Sequence, residues 1–269
     1  MKRRHFIAQV AGASAFMGAA ASMGTAQPAA DQEGSAREYY LLRRYEVRSG
    51  PQAKLANAYF QNALVPAANR LGINPVGVFH PHIGLDNPSA HVLLPSRSLE
   101  TLVRLEHHLA GDAAYLKAGS DFTNAPASQP AYIRMESQLM IAFSGSPMLT
   151  APAAAAEHKP RTFELRTYES PTDQDHKRKV EMFNSGEFDI FKSAGFSPVF
   201  YGDTLVGTRM PQLTYMLSFG SLEERDRLWA AFGSAPAWKK LSTAPRYTFE
   251  DIVSNVTNVI LDPTPYSQI

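Results

Sequence analysis

The chain has 269 residues, 44% of them hydrophobic and 19% charged, with a formal net charge of +1 and no cysteine. This length suits two domains, while the missing cysteines exclude disulfides, thiolate metal sites and iron–sulfur clusters. The near-neutral charge leaves no electrostatic footprint for nucleic acid, and no apolar run reaches the roughly 18 residues of a membrane span. We therefore expect a globular protein that neither binds nucleic acid nor spans a membrane.

The first residues, MKRRHFI, are basic and precede a stretch rich in Ala, Gly and Met. A basic segment before a weakly hydrophobic one is typical of a removable export signal. The pair Arg3 and Arg4 resembles the twin-arginine signal, which directs folded proteins across the bacterial inner membrane. We predict this signal over residues 1–26, a flexible segment over 27–37 and a periplasmic location. A Sec signal or a disordered basic tail is the alternative.

The rest of the chain consists of two tandem copies of one sequence unit. Three segments recur at a constant offset of 123 residues: Tyr40–Glu46 with Phe163–Glu169, Gly72–Val76 with Gly195–Val199, and Ser98–Glu100 with Ser221–Glu223. Three matches in one register are unlikely to arise by chance, and internal repeats of this kind define the architecture. Duplication is the firmest structural inference from the sequence.

Each copy shows the same order of patterns. Alternating strands are predicted at 38–47 and 161–169, helices at 52–71 and 173–195, hairpins at 75–82 with 90–95 and 198–206 with 213–220, second helices after Ser98 and Ser221, and last strands at 132–143 and 250–261. This order is the βαββαβ pattern of a ferredoxin-like unit. We predict an α+β fold with a first unit over 38–143, an Ala/Pro-rich linker without regular structure over 144–160, and a second unit over 161–269.

A sheet covered by helices on one face needs a cover on the other, which the two units can supply to each other by packing sheet to sheet. Strand alternation divides the side chains between these faces. We assign the apolar Tyr40, Leu42, Phe163 and Leu165 to the helices. The opposite set then lines a cleft between the sheets: Arg43, Tyr45, His91, Glu136, Gln138, Arg166, Tyr168, Thr214 and Asn255.

The repeated Leu-Arg-x-Tyr-Glu strand, the Gly-x-x-Pro-Val step and the Ala-Pro-Ala-Trp segment ending at Trp238 resemble the NIPSNAP family. The resemblance covers most of the chain after the signal. It implies an intrachain dimeric α/β barrel, a fold whose relatives include small monooxygenases and haem enzymes. It implies no specific reaction, because no shared catalytic motif maps onto these residues.

Two arginines are the strongest candidates for binding in the predicted cleft. Guanidinium groups bind carboxylates and other anions bidentately, so Arg43 and Arg166 are candidates for a small anionic ligand. The alternative is an internal Arg–Glu network with Glu136 and Glu164 as partners. We expect neither a metal nor a cofactor. Metal or haem ligation by His80, His82 and His91 is the alternative, but their counterparts at the 123 offset are not histidines.

Two function classes follow. The first is a non-catalytic protein that binds a small ligand or a partner through the cleft. The alternative is a small oxidoreductase or monooxygenase-like enzyme, with or without haem, that uses the same cleft. No Gly-rich phosphate loop, nucleophile elbow or His-Glu-x-x-His helix supports a kinase or hydrolase. The sequence does not decide whether the chain is an enzyme, and it leaves oligomerisation open.

Overall fold

The computed structural model describes residues 37–48, 50–84 and 88–269. The predicted signal and nearly all of the segment 27–37 lie outside the described residues. The first repeat contains β1 (Tyr39–Glu46), α1 (Gly50–Tyr59), a π-helical segment (Phe60–Leu64), α2 (Val65–Arg70), β2 (Gly77–Pro81), β3 (Ser89–Ser96), α3 (Leu99–Val103), α4 (Leu105–Ala110), α5 (Ala113–Ala118), α6 (Ser120–Thr123) and β4 (Arg134–Ala142).

The second repeat has the same order of strands, with three helices instead of four before its last strand. It contains β5 (Thr162–Glu169), α8 (Asp173–Met182), a π-helical segment (Phe183–Glu187), α9 (Phe188–Ala194), β6 (Ser197–Val206), β7 (Gln212–Phe219), α10 (Leu222–Ser234), α11 (Pro236–Ser242), α12 (Phe249–Ile252) and β8 (Asn255–Pro263). The two π-helical segments begin 123 residues apart, as the repeat predicts. Two expectations were wrong: α7 (Ala153–Ala156) lies in the linker, and α12 occupies the predicted start of the last strand.

The eight strands form one closed antiparallel barrel in the order β1-β3-β2-β8-β5-β7-β6-β4. Each repeat contributes four neighbouring strands. The repeats join where β2 pairs with β8 and where β4 pairs with β6. The two sheets therefore meet edge to edge, and the space predicted between them is the interior of the barrel. Closure leaves no unpaired sheet edge, which is a stable solution for two short sheets.

Local sequence signals explain where the helices begin and end. The Ser98 and Ser221 hydroxyls accept hydrogen bonds from the backbone of Thr101 at 3.1 Å and Glu224 at 3.2 Å, as N-caps do. After α2 and α9, the repeated glycines Gly72 and Gly195 have φ of 76° and 88°. Glycine adopts this left-handed conformation without the steric cost of a Cβ, which explains its use at both helix ends.

Three apolar clusters fill the protein. One lies between the first repeat's sheet and its helices, and a second lies between the second repeat's sheet and its helices. The third fills one end of the barrel interior and includes Tyr40, Leu42, Phe79, Phe163, Leu165, Phe200 and Leu261. Rings pack closely there, with centroids 5.0 Å apart for Tyr40 and Phe200.

This packing corrects the face assignment on the first strand of each repeat. Tyr40, Leu42, Phe163 and Leu165 face the barrel interior, whereas Tyr45 and Tyr168 lie beneath the helices. Arg43 and Arg166, two residues before these tyrosines, share the helix-covered face. The alternation of side chains along these strands was correctly predicted, but the two faces were assigned the wrong way round. Both faces are buried, so polarity alone does not identify the face that carries the helices.

Within the described part of the chain, no helix has both the length and the apolar character needed to cross a membrane.

Candidate functional site

A cavity of about 320 Å³ opens at one end of the barrel, which we call the barrel mouth. Here β1 and β5 end, and β3, β4, β7 and β8 begin. The apolar cluster inside the barrel fills the opposite end, so the cavity is a blind pocket. It is lined by Leu42, Arg44, His91, Glu136, Ser137, Gln138, Leu165, Thr167, Thr208, Arg209, Gln212, Thr257 and Val259.

One wall of the cavity is a charged row on three neighbouring strands of the first repeat. Arg44 on β1 lies directly opposite His91 on β3 and Glu136 on β4. The Arg44 Nη1 and Glu136 Oε2 atoms are 3.5 Å apart, and their side chains are 23% and 41% exposed. His91 is buried. The fold thus brings a guanidinium, an imidazole and a carboxylate together from distant parts of the sequence.

The facing wall belongs to a threonine row of the second repeat, of which Thr167 and Thr257 line the cavity. Thr167 on β5 lies opposite Thr214 on β7 and Thr257 on β8. These are the positions that correspond to the charged row. The Thr167 and Thr214 hydroxyl oxygens are 2.9 Å apart, and the Gln138 amide donates to Thr214 at 2.9 Å and to Thr204 at 2.7 Å. One half of the cavity is therefore charged and the other half is neutral and polar.

A second guanidinium stands at the rim. Arg209, on the hairpin between β6 and β7, donates from Nη1 to Glu169 Oε1 and to Thr257 Oγ1, each at 3.3 Å. Its side chain is 54% exposed. The Asn255 amide donates to the same Glu169 oxygen at 2.8 Å. Deeper in the cavity, Leu42, Leu165 and Val259 form an apolar floor.

The structure separates the predicted site residues into two groups. His91, Glu136 and Gln138 line the cavity, Thr214 supports it through Gln138, and Asn255 contacts its rim. Arg43, Tyr45, Arg166 and Tyr168 do not line it and were wrongly assigned to the cleft.

The sequence reasoning missed Arg44, Thr167 and Arg209. The first two are immediate neighbours of the residues wrongly chosen. Because alternate side chains point to opposite faces, an error of one residue moves the whole set across the sheet. Arg209 lies outside the strands, where alternation gives no guidance.

The misassigned arginines pair with carboxylates on the helix-covered face instead. Arg43 Nη1 contacts Glu106 Oε1 on α4 at 2.7 Å. Arg166 Nη1 donates to Glu164 at 2.8 Å, and its guanidinium also donates to the Tyr168 hydroxyl. The predicted alternative, an Arg–Glu network, is confirmed for Arg166 and Glu164. Burial beside these groups raises the pKa of Tyr45 to about 12.

The three histidines considered as joint ligands are divided between the two faces of the sheet. His80 lies on the helix side, where its Nδ1 contacts the Ser89 carbonyl oxygen at 2.7 Å and its Nε2 contacts Asn57 Oδ1 at 3.0 Å. His82 Nδ1 contacts Asp262 Oδ2 at 2.7 Å, and His91 lies inside the barrel. Histidines on opposite faces cannot ligate one iron together. Across the described ranges, no group of three or more His, Asp or Glu side chains is arranged to hold a metal ion.

Comparisons with known proteins agree with the duplication. A family model described as NIPSNAP matches residues 40–147 and again 163–268. A NIPSNAP-like domain protein from Burkholderia xenovorans is 20% identical over 40% of this chain and 88% of its own, with a TM-score of 0.36. A search of curated proteins finds no match.

Longer matches come from proteins of lower identity. A putative monooxygenase from Lactobacillus acidophilus is 8% identical over 84% of this chain and 94% of its own, with a TM-score of 0.53. A putative monooxygenase from Fusobacterium nucleatum is 10% identical over 85% and 93%, with a TM-score of 0.50. At this identity the likeness concerns the fold alone, because one fold hosts many functions.

Proposed function

The chain belongs to the NIPSNAP family, and we propose that it binds small organic carboxylates in the barrel mouth, with Arg44 and Arg209 as the anion-binding groups. The observation that carries this proposal is the pair of partly exposed guanidiniums above an apolar floor. A ligand with a carboxylate head and a compact apolar body would satisfy both features. Pockets of this kind combine apolar walls with a few polar groups that fix orientation.

The ion pair at the rim supports an exchange of partners. Arg209 Nη1 lies 3.3 Å from Glu169 Oε1. Strong charge-assisted hydrogen bonds are about 2.7–2.9 Å long, so this pair leaves room for a better-placed acceptor. By contrast, Arg43 is buried and contacts its carboxylate at 2.7 Å. A bound carboxylate could thus give Arg209 a shorter contact of the kind that Arg43 has.

The proposal is tested by calorimetry with 4-methylpentanoate and 3-phenylpropanoate on the wild type, Arg44→Met and Arg209→Met. We expect each substitution to weaken binding by about tenfold or more, the effect of losing one charged hydrogen-bonding partner. The matched control is Arg134→Met, since Arg134 is exposed at the same end, does not line the cavity and pairs loosely with Glu46 at 3.7 Å. Equal affinities in all four proteins would contradict the proposal. Turnover of a bound carboxylate would instead favour the enzymatic alternative.

We also propose that each repeat is related to the ferredoxin-like fold and that the chain is exported to the periplasm. The strand order β4-β1-β3-β2 within the first repeat supports its relation to the ferredoxin-like fold. Arg3 and Arg4 support export to the periplasm by the twin-arginine route. Replacing both arginines by lysine keeps the charge and removes the pair, so unimpaired export of that variant would contradict the route.

A further inference from the structure

We infer that the ligand of the barrel mouth is an amino carboxylate, a zwitterion with a compact apolar side chain. This inference rests on the proposed carboxylate site and adds a second charged group to the ligand. Its basis is Glu136, which lines the same cavity as Arg44 and lies directly opposite it across the sheet.

A simple carboxylate meets an electrostatic problem at this wall. A ligand anion that contacts Arg44 comes close to the Glu136 carboxylate, because only 3.5 Å separates the two residues. Like charges at this separation oppose binding, and such repulsion is a common source of specificity. An ammonium group next to the ligand's carboxylate would neutralise Glu136 while the carboxylate neutralises Arg44. Both charged residues then keep an opposite charge after the ligand has entered.

The remaining walls fit the rest of such a ligand. The hydroxyl groups of Thr167 and Thr257 line the cavity; each can accept from an ammonium through its oxygen or donate its O–H to a carboxylate. Leu42, Leu165 and Val259 offer an apolar surface to a side chain. A volume of 320 Å³ lies at the lower end of ligand pockets, which are usually about 300–1,000 Å³. This size favours a single amino acid over a peptide.

The test compares three probes that share one carbon skeleton: L-leucine, 4-methylpentanoate, which lacks the ammonium group, and 3-methylbutylamine, which lacks the carboxylate. Calorimetry is performed on wild type, Glu136→Gln and the control Glu46→Gln, since Glu46 lies at the same end but does not line the cavity. Glutamine keeps the shape of glutamate and removes its charge.

We expect the wild type to bind leucine about tenfold or more tightly than 4-methylpentanoate, as one charged contact would give. Glu136→Gln should remove this preference by weakening leucine binding and by leaving 4-methylpentanoate unchanged or bound more tightly. Glu46→Gln should leave the preference intact. The fold of each variant is checked by its thermal unfolding, and L-phenylalanine with 3-phenylpropanoate provides a second matched pair.

The outcomes separate the two proposals. If leucine and 4-methylpentanoate bind equally, and both need Arg44, the zwitterion inference is overturned and the carboxylate site stands. The inference is also overturned if Glu136→Gln keeps the preference for leucine. If no carboxylate probe binds, or if the amine alone binds as tightly as leucine, the carboxylate site fails and the inference fails with it.

Discussion

The two repeats bury an arginine at the same place beneath their helices, but they neutralise it from different elements. In the first repeat, Arg43 contacts Glu106 on α4. In the second, Arg166 contacts Glu164 on its own strand, while Trp229 occupies the position of Glu106 and packs its ring 4.3 Å from the Arg166 guanidinium. The cation is retained and the source of negative charge has moved. Each repeat therefore supplies its buried arginine with a carboxylate partner, but from a different element.

A second difference between the repeats lies in the helical segments that follow the first strand of each repeat. The first repeat places Ala56 and Leu64 in its apolar cluster. At the corresponding positions the second repeat has Lys179 and Glu187, which are 0% and 2% exposed and lie 2.6 Å apart. Burial lowers the pKa of Lys179 and raises that of Glu187. The second repeat thus carries an ion pair where the first shows that an apolar pair is sufficient for the fold.

The largest expected effect comes from breaking this ion pair. Lys179→Met or Glu187→Leu alone leaves a buried charge without its partner, which typically costs about 3–5 kcal/mol of unfolding free energy. The double variant removes both charges and should lose much less than the two single losses combined. Urea unfolding followed by tryptophan fluorescence measures this, because both tryptophans, Trp229 and Trp238, lie in the second repeat. Additive losses would show that the two side chains do not act as a pair.

An intermediate effect is expected from the two arginine partners. Glu164 is fully buried and accepts hydrogen bonds from Arg166, Arg225 and Trp229. Burial opposes its ionisation, yet hydrogen bonds from Arg225 and the charge of Arg166 hold its pKa below the ordinary value. Glu164→Gln should cost about 3 kcal/mol. Glu106 is 67% exposed, so Glu106→Gln should cost about 1 kcal/mol or less. Equal losses in denaturant titrations would contradict the contrast between the repeats.

The smallest effect is expected on the melting temperature at acidic pH. Hydrogen bonds from Arg246 and Tyr247 lower the pKa of Glu181 on α8 from 4.5 to about 2, whereas the first repeat has Ala58 at this position. A lowered pKa means that the interaction stabilises the folded protein above the ordinary pKa. This stabilisation is lost as the pH falls from 4.5 toward 2. The melting temperature of the wild type should therefore exceed that of Glu181→Gln near neutral pH, and the difference should shrink on acidification. A difference independent of pH would argue against this interaction.

The sequence alone determined the features that depend on local pattern. The 123-residue register located both repeats, and the order of strands and helices followed from periodicity and capping residues. Of the residues predicted in the cleft, His91, Glu136 and Gln138 line the cavity. Strand alternation is a local property of the backbone, so these predictions required no knowledge of distant contacts.

Only the tertiary structure decided which face of each strand became the barrel interior. Along Tyr40–Arg43 both faces are buried, one by the helices and one by barrel closure. Hydrophobicity cannot distinguish two buried faces, so the choice between Arg43 and Arg44 depended on strand pairing far away in the sequence. Closure of β4 onto β6 and of β2 onto β8 created the cavity and turned Arg44 into it. Those pairings depend on the complementarity of two complete sheets, which no single segment encodes.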